Sequence, residues 1–88
     1  MEKHKEIAAI LNEVINLLAP YDENWTNRLK RLKKEMDTSP EEAMRHLKSL
    51  YGGMGSFNDL VLQKNGQMPK EENHKLFNLR SKLYELCY

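Results

Sequence analysis

The side chains able to do chemistry in this 88-residue chain are His4, His46, His74, Cys87, Ser56 and thirteen carboxylates, and none of them stands at a spacing that catalysis or metal binding requires. A cysteine–histidine pair would need Cys87 beside His46 or His74 in space, yet Cys87 is the penultimate residue, where chain ends fray. There is no strand–turn–helix nucleophile elbow around Ser56, and no His-x-x-x-His or Cys-x-x-Cys pair of the kind that holds zinc. A domain of this size also offers little room for a pocket of ~300 Å³ or more. The expectation is therefore a protein that is not an enzyme, with no catalytic residue, no metal and no cofactor.

Binding chemistry has three candidates. Gly52, Gly53, Gly55 and Ser56 form a glycine-rich stretch whose exposed amides can cradle an anion at the start of a following helix. It lacks the lysine–hydroxyl pair that ends a nucleotide-binding loop, since Gly55 rather than a lysine precedes Ser56, and it lacks the preceding strand of a dinucleotide site. Arg28, Lys30, Arg31, Lys33 and Lys34 form a basic run suited to phosphate contacts, although Glu35, Asp37, Glu41 and Glu42 follow directly. Finally, Tyr21, Trp25, Met54, Phe57, Phe77, Tyr84 and Tyr88 are more large apolar groups than a thin helical core readily absorbs, and aromatic residues and methionine are enriched where interfaces lose water. Among these, Tyr21, Trp25, Met54 and Phe57, with Asn58, are the expected protein-docking residues.

The elements that must position these groups read as helices. Apolar residues at 7, 10, 11, 14, 15, 17 and 18 mark a central helix with a wide apolar arc, ended by Pro20. Asp22 or Asn24 caps a second helix whose stripe is Trp25, Leu29, Leu32 and Met36. Ser39, Pro40 and Glu42 read as a capping box that opens a third helix, with Ala43, Met44, Leu47, Leu50 and Tyr51 on its buried face and Gly52 as its stop. Phe57 to Leu62 reads as a short helix capped by Ser56 or a short buried strand; the helix, ended by Gly66, is favoured because no second strand is available to pair with. A last helix follows Pro69, with Leu76, Leu79, Leu83 and Leu86 on one seam and Phe77 and Tyr84 beside it. The whole chain, residues 1–88, is thus expected to be one all-α domain: a compact bundle of four longer helices plus one short helix after a glycine-rich loop.

Composition bounds the partners. Fourteen basic and thirteen acidic side chains leave a net charge of +1, too small for a whole-molecule field that drives nucleic-acid or anionic-membrane binding. The mixed-charge N-terminus and interrupted apolar pattern fit neither a leader nor a membrane span. With a single cysteine, the expected location is the cytoplasm. A core this small makes a subunit interface a reasonable supplement to packing.

The block Ser49-Leu50-Tyr51-Gly52-Gly53-Met54-Gly55-Ser56-Phe57-Asn58-Asp59-Leu60-Val61-Leu62, together with Pro20 to Trp25 and Leu79 to Tyr84, resembles a family of short, uncharacterised bacterial helical proteins. The resemblance covers nearly the full chain. It implies a bacterial, intracellular setting and carries over no catalytic residue. The functional expectation is a non-enzymatic protein-interaction module, an inhibitor, immunity or antitoxin-like partner or adaptor, self-associating or docking on a larger protein. The alternative is a module for nucleic acid or a phosphorylated ligand, built on Arg28 to Lys34 and the Gly52 to Ser56 amides.

Overall fold

The computed structural model describes residues 2–51 and 57–87. Among the described residues four helices carry the fold, α1 (Glu2–Leu18), α2 (Glu23–Thr38), α3 (Pro40–Ser49) and α4 (Lys70–Cys87), with a 3-10 turn at Phe57–Asp59. The all-α expectation is met. α1 is central, packing on α2 and on α4, while α3 lies against α2 and touches α4 more sparingly. Ile7, Ile10, Leu11, Val14, Ile15 and Leu18 of α1 are all buried, each contributing roughly 1.5–3 kcal/mol by leaving water. The helix begins at Glu2, a turn and a half ahead of its first buried residue, because the charged residues before Ile7 extend it on the solvent side.

Local signals explain most boundaries. The Asp22 side chain accepts from the Trp25 N–H at 3.0 Å and caps α2, while the Thr26 hydroxyl, buried, donates to the Asp22 carbonyl at 2.6 Å. Pro40 opens α3, but the expected capping box does not form. The Ser39 side chain makes no cap hydrogen bond, and Glu42 instead accepts from Arg45 at 2.9 Å. Pro40 at the first helical position and the acidic first turn suffice to start the helix.

The segment after Phe57 departs from the expected short helix. Only Phe57–Asp59 is helical, and the chain from Leu60 to Gln63 runs without regular structure. Gly66 is not a helix stop. Asn65 at φ 55° and Gly66 at φ 78° form the centre of a two-residue turn, closed by Lys64 and Gln67, which exchange backbone hydrogen bonds of 2.9 and 3.0 Å. Asn-Gly is the residue pair that such a turn favours, since both positions need positive φ. The turn reverses the chain into α4.

Candidate functional site

Phe57 organises the middle of the molecule. It is fully buried, with its ring centroid 5.3 Å from Trp25 and 5.6 Å from Tyr51. Tyr51 in turn meets Tyr84 edge-on at 5.2 Å. Four rings thus run as a chain from α2, through the core, to α4. At one end the Arg28 guanidinium lies over Trp25, 4.2 Å from the ring centroid. The expectation that Phe57 offers itself to a partner is corrected by this burial: the rings of Trp25 and Tyr51 close over it and leave it no open face. Trp25 and Tyr21 are half-buried, packed against the core along one edge.

Phe57 is held by residues far away in sequence. Arg80 of α4 donates from Nη1 to the carbonyls of Phe57 and Leu60, at 2.8 and 3.0 Å. Its own carbonyl accepts from the Tyr51 hydroxyl at 2.8 Å. Partial burial pulls the Arg80 guanidinium below its usual value, with Tyr51 and Asp59 pulling it back up; an arginine stays charged through such a change. Asn73 performs a parallel task one helical stretch earlier. Its Oδ1 accepts from the Leu62 N–H at 2.7 Å, and its Nδ2 donates to the Leu62 and Pro69 carbonyls at 3.1 and 2.9 Å. These two side chains supply the backbone partners that a helix or sheet would otherwise provide. Sequence reasoning passed over both, because an arginine and an asparagine on a charged helix look like ordinary solvated residues.

Two surface grooves flank the chain of rings. The first, about 580 Å³, lies along α4 and is lined by Tyr51, Phe77, Arg80, Ser81, Tyr84 and Glu85. Phe77 and Tyr84 stand 50% and 45% exposed at its edges, as the place of Tyr84 near the chain end suggests. The second, about 370 Å³, lies between α2 and α3, with Arg28, Arg31, Leu32, Glu35, His46 and Leu50 in its walls. There His46 Nδ1 and Glu35 Oε1 are 2.7 Å apart.

The basic run on α2 is divided between two flanks. Arg28 and Arg31 face α3 across the second groove, whereas Lys30, Lys33 and Lys34 line a separate hollow with Asn12 and Asn16 of α1. Lys33 donates to Asn12 Oδ1 at 3.0 Å. The run thus borders two hollows, one shared with α3 and one with α1, while Arg31 and Lys34, three residues apart, remain neighbours on the exposed side of α2.

Of the other expected groups, Gly52, Gly53, Met54, Gly55 and Ser56 lie outside the described residues, as does the side chain of Asn58. His74 is exposed and His4 half-buried. Cys87 is not at a frayed end: it is 3% exposed and joins the core. Burial pushes its thiol above the usual value, with Lys48 and Lys3 pulling it partly back, and a protonated, buried thiol is a poor nucleophile. Among the described residues no group of three or more His, Cys, Asp or Glu side chains is placed to hold a metal, and no helix is long and apolar enough to cross a membrane.

With this geometry in place, the family described as a domain of unknown function, DUF6966, matches residues 19–70, more than half of the chain. The chain belongs to this family. No curated protein and no solved structure matches it. The DUF6966 match takes in α2, α3, the Phe57 segment and the Asn65-Gly66 turn, and ends at the first residue of α4. The groove between α2 and α3 thus falls wholly inside the match, while the α4 groove draws only Tyr51 from it.

Proposed function

We propose that this DUF6966 protein is a non-enzymatic interaction module that docks through the outer face of α4, and that the occupant of that face is a second copy of the chain. The observation that carries the reading is the pair of half-exposed rings, Phe77 and Tyr84, bordering a hollow of about 580 Å³. They are seven residues apart, two helical turns or about 10.5 Å, and the exposed Ser81 between them leaves a gap the width of a ring. A face that carries both the rings and the gap is complementary to itself under a twofold axis: each copy places a ring in the hollow of the other. The docking residues of this reading are Phe77 and Tyr84, with Tyr51 at the base of the groove. The bacterial and cytoplasmic setting is part of the proposal, supported by the sequence resemblance and by the single cysteine.

Sedimentation equilibrium over a range of protein concentrations tests it. The expected result is a monomer–dimer equilibrium in the micromolar range, little affected by salt because apolar contact carries it. Ser81→Arg fills the gap without touching the core, and it abolishes the dimer while leaving the melting temperature unchanged. A wild-type protein that stays monomeric throughout overturns the reading, as does a dimer indifferent to Ser81→Arg.

A further inference from the structure

The groove between α2 and α3 has the makings of a ligand site that is independent of the α4 face. Two arginines, Arg28 and Arg31, line this cleft together with the apolar Leu32 and Leu50. Among the described residues neither arginine forms an ion pair with a carboxylate. The nearby negative charge, Glu35, is engaged instead by His46 at 2.7 Å. Arg28 is further held by its place over the Trp25 ring, 4.2 Å from the centroid, a cation–π contact that restrains the side chain. Two forked donors beside two leucines suit a ligand with an anionic end and an apolar body.

The geometry points to a binding site for a small molecule carrying a phosphate or carboxylate on an apolar or ring-shaped body, its anionic group held by Arg28 and Arg31 and its body seated on Leu32 and Leu50. A small ligand is favoured over a nucleic-acid strand by the mixed lining of the groove, in which Arg28 and Arg31 stand beside the apolar Leu32 and Leu50, whereas Lys30, Lys33 and Lys34 line a separate hollow with Asn12 and Asn16. About 370 Å³ is also the size of a site for a compact organic molecule, near the lower end of the range of ~300–1,000 Å³ for ligand pockets.

Trp25 is the only tryptophan and touches Arg28, so its fluorescence reports on the site directly. The full chain is titrated with phenyl phosphate and, separately, with benzoate. The expected result is a saturable change in Trp25 emission at millimolar ligand or below with at least one of the two, the responding compound naming the anionic group. Arg31→Gln weakens it by about tenfold, the loss of one charge-assisted contact. The double variant Lys30→Gln/Lys34→Gln removes more charge from the hollow shared with α1 and leaves the affinity unchanged. Absence of a saturable response to both compounds overturns the inference. So does an equal loss in the arginine and lysine variants, which marks diffuse charge attraction. Tighter binding of a mixed-sequence oligonucleotide that depends on Lys30 and Lys34 also overturns it, in favour of a nucleic-acid surface on the other flank.

Discussion

α1 and the segment from Phe57 to Pro69 both press side chains into the same core, yet different forces hold their backbones. In α1 every interior N–H and C=O finds a partner four residues away, and the helix needs the rest of the molecule only to cover Ile7, Leu11, Val14 and Leu18. The Phe57 segment has few internal pairs, a 3.3 Å bond from the Leu60 N–H to the Phe57 carbonyl and the Lys64–Gln67 exchange. Its carbonyls and amide at Phe57, Leu60 and Leu62 are answered by the side chains of Arg80 and Asn73, and its two buried anchors are Phe57 and Leu62. Removing packing from α1 should therefore weaken the whole fold, whereas removing a clamp should release one segment first.

The largest effect is expected on the α1 side of this comparison. Leu11→Ala leaves a cavity in a fully buried position and lowers the unfolding free energy by about 2–5 kcal/mol, measured by urea denaturation at a single cooperative transition. Slowest-exchanging amides in α1, α2 and α4 should lose protection together.

Arg80→Met comes next. It keeps the stem of the side chain, removes the Nη1 donor from the Leu60 carbonyl and leaves the Phe57 carbonyl with the long 3.3 Å bond from the Leu60 N–H, at a cost of about 2–3 kcal/mol. The loss should appear first as faster hydrogen exchange across residues 57–62, with the α1 amides following only as far as global stability falls. Asn73→Ala sharpens the same contrast on a smaller scale, about 1–2 kcal/mol, with the Leu62 amide as its specific reporter. If the α1 and Leu62 amides lost protection in equal measure in both variants, the segment and the helix would be one cooperative unit and the distinction would fail.

Gly66→Ala should be the mildest. Nothing lies within 4 Å of an added Cβ and the only cost is the φ of 78°, roughly 1 kcal/mol for a residue with a side chain. The change is read as a small shift in the urea midpoint and leaves the exchange of α1 and α2 unperturbed.

The comparison also explains which parts of the chain were legible. The stripes of α1 and α2, the Asp22 cap, Pro40 at the start of α3 and the leucine seam of α4 are all relations between residues one to four positions apart, and the periodicity exposes them directly. The Asn65-Gly66 turn was equally local, but Gly66 read alone suggested a helix stop; with Asn65 the pair is a tight-turn signature. The site was much less legible. Trp25 and Phe57 were singled out as aromatic anchors, but their pairing at 5.3 Å makes Phe57 an interior group. The exposed rings are instead Phe77 and Tyr84, whose exposure depends on how α4 is rotated against α1.

The sequence by itself determined the helices, their order and the stripe each one buries, because helical hydrogen bonds and amphipathic spacing are satisfied within a few residues. Only the tertiary structure decided that Arg80 and Asn73 hold the Phe57 segment, that Arg28 and Arg31 border α3 while Lys30, Lys33 and Lys34 border α1, and that Phe77 and Tyr84 face outward. The physical reason is distance along the chain: the clamp bonds join residues 11, 20, 23 and 29 positions apart. Partners so remote leave no local pattern, and the packing of α4 on α1 is what brings them together.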